Sequence, residues 1–106
     1  MSVGPFDLGP SSSLPEGGRL CGRAGGVEVV VLRLEGKLYA IDGTCPHRGG
    51  LLGQGDREGF RLSCPLHAWC FDVRDGTAFF PRGERLAVFE VFERDGRVLV
   101  GSRVPR

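Results

Sequence analysis

Two short strings hold the residues best equipped for chemistry: Cys45-Pro46-His47 and Cys64-Pro65-Leu66-His67. Each sets a soft thiolate donor beside an imidazole, so together they offer four metal-binding groups. Residues 48 to 63 separate the pairs, which places them on different loops that must fold together around a shared centre. Two cysteines and two histidines satisfy tetrahedral zinc, and they equally satisfy an iron–sulfur cluster of mixed ligation. Spacing weighs against zinc, because Cys-x-His is tighter than the usual zinc knuckle. Cys21 and Cys70 fit neither pair; they are expected as free thiols, packed as small buried hydrophobes.

The elements that must position these groups are short and β-type. Val27 to Leu34, the turn pair Glu35-Gly36 and Lys37 to Asp42 read as a hairpin. Glu58-Gly59 precedes a run from Phe60 to Ser63, Asp75-Gly76 joins Cys70–Val73 to Thr77–Phe79, and Asp95-Gly96 joins Leu86–Glu93 to Arg97–Val100. The run from Leu86 to Glu93 is apolar at nearly every position, which predicts a strand covered on both faces. No segment keeps a 3.6-residue period over ten residues, so the fold class is all-β, a sandwich or small barrel. Residues 1–18, with Pro5, Pro10, Pro15 and the run Ser11 to Ser13, are expected to be mostly loop. Residues 44–69 break the strand rhythm and read as an inserted metal-binding lobe.

Length and composition narrow the possibilities. The chain of 106 residues predicts one domain spanning 1–106, too short for its own core and a second catalytic domain. It is 41% hydrophobic and 25% charged with a net charge of +1, a balance that gives no reason to expect nucleic acid or an anionic membrane as partner. No stretch reaches the roughly 20 apolar residues that cross a bilayer, and no secretory leader opens the chain, so a soluble cytoplasmic protein is expected.

The strings extend to Cys45-Pro46-His47-Arg48-Gly49-Gly50 and Cys64-Pro65-Leu66-His67-Ala68-Trp69, and in this form the chain resembles Rieske iron–sulfur proteins. The resemblance covers about residues 14 to 100, with further matches at Asp72 and in the segment Phe79-Phe80-Pro81. It implies one 2Fe-2S cluster per chain, with Cys45 and Cys64 on one iron and His47 and His67 on the other. It also implies a β base carrying a smaller cluster-binding lobe, with Phe79-Phe80-Pro81 in the loop that covers the cluster. Gly49, Gly50, Pro46 and Pro65 would hold the ligand loops still. Leu51, Leu52 and Leu66 are divided between a docking patch around the histidines and packing against the base.

Respiratory members of the family carry an extra cysteine in each ligand loop, where this chain has Gly50 and Leu66, so no loop disulfide is expected. Those members also place hydroxyls where this chain has Trp69 and Phe71. Fewer donors to the sulfurs predict a potential near the low end of the Rieske range, roughly −150 mV. The pattern is similar to bacterial Rieske ferredoxins and implies a one-electron carrier, not an enzyme in itself. Its partners would be a flavin-dependent reductase and a terminal oxygenase, or alternatively the large subunit of an NAD(P)H-dependent nitrite reductase. A catalytic oxygenase subunit needs a further two-histidine iron site, and both histidines here are already assigned.

Overall fold

The computed structural model describes residues 4–46, 49–66 and 69–105. Ten strands occur among them: β1 Phe6–Pro10, β2 Arg19–Ala24, β3 Val27–Leu34, β4 Lys37–Asp42, β5 Arg57–Glu58, β6 Arg61–Ser63, β7 Cys70–Asp72, β8 Ala78–Phe80, β9 Val88–Arg94 and β10 Arg97–Arg103. Six form one antiparallel sheet in the order β1-β10-β9-β4-β3-β2; the other four form a second sheet in the order β5-β6-β7-β8. No helix among the described residues is long and apolar enough to cross a membrane.

The large sheet curls until its end strands β1 and β2 touch, giving a nearly closed barrel. Glycine suits the seam: a Cβ on Gly22 would stand 3.2 Å from a methyl of Leu8, a tight approach. Tight turns set the strand register. Glu35 and Gly36 have φ of 53° and 76°, and Asp95 and Gly96 have 53° and 77°, the left-handed pair that suits a two-residue hairpin turn. Glu16 anchors the first of these turns, its carboxylate accepting hydrogen bonds from the Glu35 and Gly36 amides at 2.7 and 2.9 Å.

Strand β3 is the hinge of the architecture. Its run Val29-Val30-Val31-Leu32 is buried throughout because both faces are covered. Val29 and Val31 join Ala40, Val98, Val100 and Leu14 inside the barrel. Val30, Leu32 and Leu34 point the other way, into a second core with Ile41, Leu52, Leu62, Phe71, Val73 and Leu86 that joins the barrel to the small sheet. Strand β9 divides its side chains similarly, Val88 toward the second core and Phe89 and Val91 toward the first, but each stays only half-buried.

Three features differ from the sequence reading. The N-terminal segment contains β1, which pairs with β10 across the length of the chain, and a 3-10 turn at Ser11–Ser13. Strand β2 has little β-forming composition, yet it lies in full register on β3 from Arg19↔Leu32 to Ala24↔Val27. The small sheet runs on to Phe80, past the expected end of the lobe at residue 69.

Candidate metal centre

The first cysteine loop leaves β4 at Asp42, whose carboxylate accepts a hydrogen bond from the Thr44 amide at 2.9 Å. The loop closes on itself: the Cys45 amide donates to the Gly50 carbonyl and the Gly49 amide to the Cys45 carbonyl, each at 2.9 Å. Gly49 has φ of +72°, a conformation that glycine adopts readily, so its place in the motif has a backbone reason. A bridge between Thr44 and Leu51 and a 2.8 Å bond from the Leu52 amide to the Gly43 carbonyl complete the stem.

The second cysteine loop is a hairpin connection between β6 and β7. Ser63 pairs with Cys70 in the ladder, and the Cys64 amide donates to the Trp69 carbonyl at 2.8 Å. Beyond it, Asp72 accepts both Nε and Nη2 of Arg74 at 3.0 and 2.8 Å, and the Arg74 guanidinium lies 4.2 Å from the Phe60 ring centre. That carboxylate raises the Arg74 pKa above its ordinary value. The pair and the stacked ring hold the turn between β7 and β8 against the small sheet.

The two loops meet. Cys45 and Cys64 are 1% and 5% exposed and belong to the same core cluster. A Cβ at Gly50 would lie 2.7 Å from the Cys64 Sγ and 3.2 Å from Leu66 Cγ, so the first loop sits directly against the second, and a side chain there would displace the sulfur. None of the four cysteines is in a disulfide. The other two expected ligands, His47 and His67, and their neighbours Arg48 and Ala68 lie outside the described residues.

A buried pair of soft donors on adjoining loops, next to an apolar core that keeps water from the sulfurs, suits a thiolate-held iron. Phe71 is fully buried, and Trp69 packs on the same core with its ring centre 6.4 Å from that of Phe71, so both are core aromatics without a hydroxyl to donate. Leu52 is fully buried as well, whereas Leu66 is 60% exposed and Phe79 and Phe80 are 49% and 57% exposed. Phe79 and Phe80 are therefore surface residues on β8, the end strand of the small sheet. Cys70 is buried as expected; Cys21 is exposed, because β2 is an end strand of the large sheet. Partial burial nonetheless raises the Cys21 thiol pKa.

Sequence reasoning missed Arg19. From β2 its Nη1 donates to the carbonyls of Gly53 and Gly55, at 2.9 and 2.7 Å, in the segment that joins the two cysteine loops. A lone arginine in a weak strand carries no recognisable pattern.

Fold and site together define a small all-β module in which two cysteine-bearing loops meet at the edge of a second sheet. Residues 4–99 match the Rieske [2Fe-2S] domain, and the chain belongs to that family. The family's cofactor is a 2Fe-2S cluster, and members that resemble this chain over most of its length include ferredoxin components of multicomponent oxygenase systems, alongside two cholesterol 7-desaturases matched over a small part of their own length. Over 76 residues the chain is 37% identical to the ferredoxin component of an alkene monooxygenase system from Xanthobacter autotrophicus, a match covering 71% of this chain and 62% of that one. Its backbone superposes on the ferredoxin of carbazole 1,9a-dioxygenase from Nocardioides aromaticivorans with a TM-score of 0.83 at 28% identity, covering 94% of this chain and 98% of the other. A chain in the complex of reduced oxygenase and oxidized ferredoxin in carbazole 1,9a-dioxygenase matches with a TM-score of 0.80 at 30% identity, covering 91% of each.

Proposed function

We propose that residues 1–106 form a single Rieske domain in which Cys45, His47, Cys64 and His67 hold one 2Fe-2S cluster. The protein takes single electrons from a flavin-dependent reductase and passes them to a terminal oxygenase in the cytoplasm. The observation that carries the ligand assignment is the contact of Gly50 on Cys64, which brings the two cysteine loops together with both thiols buried in one core. When bound, the cluster supplies a one-electron couple whose histidine-held iron is the easier to reduce. Cys45 and Cys64 would hold one iron and compensate its charge. His47 and His67 would hold the other and offer the exit route. Leu66, Phe79 and Phe80 provide exposed apolar surface on the same lobe for a partner to cover.

The names of several similar chains favour an oxygenase over a nitrite reductase as acceptor, since these are ferredoxin components of monooxygenase and dioxygenase systems. The test is direct. Anaerobically purified protein should be coloured, contain two irons and two sulfides per chain, and show the reduced-state EPR signal of a nitrogen-ligated cluster. Replacing Cys45 or Cys64 with serine should abolish the colour. A colourless protein holding one zinc would overturn the assignment, as would a cluster that survives both serine variants. For the partners, the reduced protein should be oxidised by a terminal oxygenase component in stopped flow; efficient transfer to a sirohaem nitrite reductase subunit alone would favour the other acceptor.

A further inference from the structure

The segment 51–56 lies between the two cysteine loops and is bonded to the base of each. At one end, the Leu52 amide donates to the carbonyl of Gly43, two residues before Cys45. At the other, the Asp56 carbonyl accepts from the amide of Ser63, the residue before Cys64, at 2.8 Å. Its position therefore sets how far apart the two cysteine loops stand. The segment is also pressed between neighbours. A Cβ at Gly53 would fall 2.4 Å from the Cys21 Sγ of β2, and one at Gly55 would fall 1.6 Å from the Ser63 carbonyl oxygen.

Arg19 Nη1 bonds both Gly53 and Gly55. That nitrogen carries two hydrogens, one for each carbonyl, so a single atom fixes both carbonyls relative to each other and to strand β2. Both bonds are part-buried and charge-assisted, about twice as strong as neutral ones. Other arginines make different attachments: Arg23, Arg61, Arg74 and Arg97 pair with carboxylates, and Arg57 bonds the carbonyls of Gly59 and Gly17.

We propose that Arg19 is a positioning residue for the redox centre, its guanidinium fixing the segment that sets the separation of the Cys45 and Cys64 loops. The proposal rests on the ligand assignment above. It requires the geometry of the two thiolates at their shared iron to depend on a side chain that bonds neither cysteine.

The test compares four anaerobically purified holoproteins: wild type, Arg19→Gln, Arg19→Lys and Arg23→Gln. Arg23→Gln removes the same charge from the same strand but away from the segment, since Arg23 contacts Glu28 and the Gly26 carbonyl. Reduced-state EPR line shape and visible circular dichroism report cluster geometry; the rate of iron loss to a ferrous chelator reports how firmly it is held. Arg19→Gln, too short and neutral to serve both carbonyls, should alter the line shape and release iron about tenfold faster. Arg19→Lys keeps several donors on one nitrogen and should retain the wild-type spectrum, with release within about threefold. Arg23→Gln should match wild type in both. The proposal is overturned if Arg19→Gln keeps the wild-type spectrum and release rate, even with lowered thermal stability, or if Arg19→Gln and Arg23→Gln change alike. If Arg19→Gln does not fold, Arg19→Met, which keeps the stem and removes every donor, decides: a changed line shape with faster iron release supports the proposal, and a wild-type spectrum and release rate overturn it. Wild-type protein without the cluster signal would instead sink the ligand assignment, so the two failures are told apart.

Discussion

At the scale of single residues, the site depends on two adjacent glycines for different reasons. Gly49 needs a left-handed backbone; Gly50 needs the space that a side chain would take from the Cys64 sulfur. Gly49→Ala should therefore cost about 1 kcal/mol of stability while leaving the cluster in place. Gly50→Ala should reduce cluster content about tenfold, since the sulfur itself must shift. Iron and sulfide analysis beside urea unfolding of the two variants separates these effects. Trp69 and Phe71 bring no hydroxyl to the centre, and a redox titration should accordingly place the midpoint near −150 mV; a clearly positive midpoint would contradict this. The four expected ligands were legible from residue type, spacing and the family resemblance; the structure brings the Cys45 and Cys64 loops together, while His47 and His67 lie outside the described residues. Gly50's contact and Arg19's bonds were not legible, because each depends on a neighbour distant in sequence that only folding brings near.

At the scale of elements, the hairpin of β3 and β4 was legible to the residue, because its apolar run and its Glu35-Gly36 turn are local signals. Strands β1 and β2 were hidden for the opposite reason: their partners, β10 and β3, supply the order that their own glycines and arginines do not. Glu35 occupies a left-handed position better suited to asparagine or glycine. Glu35→Asn should raise stability by up to about 1 kcal/mol, read as a higher urea midpoint. The sheet is also tied by Arg33 on β3, which reaches over β4 to bond Glu93 on β9 at 2.8 and 3.1 Å. That guanidinium lowers the Glu93 pKa from 4.5 to about 2. Because the folded value is the lower one, the stabilisation is present above the unfolded value of about 4.5 and is lost as pH falls from there toward 2. The urea midpoint of wild type should therefore exceed that of Glu93→Gln at pH 7, and the gap should narrow by pH 3. A gap unchanged with pH would exclude the pairing as its source.

At the scale of the whole molecule, the barrel is the support and the small sheet would carry the proposed exchange surface. Leu51 and Leu66 on the cysteine loops and Phe79 and Phe80 on an end strand are exposed apolar residues of that lobe. Phe80→Ala combined with Leu66→Ala should slow electron transfer to a terminal oxygenase about tenfold or more without moving the midpoint potential, the signature of weakened docking. Stopped-flow rates beside a redox titration check both halves. Strand β3 has a further consequence for anyone who wishes to move this redox unit into another scaffold. Val30, Leu32 and Leu34 floor the metal lobe, while Val29 and Val31 fill the barrel. A transplant that takes only the two loops leaves their floor behind. The smallest portable piece includes the middle of the host barrel, and the lobe and barrel are better regarded as two rooms sharing one wall.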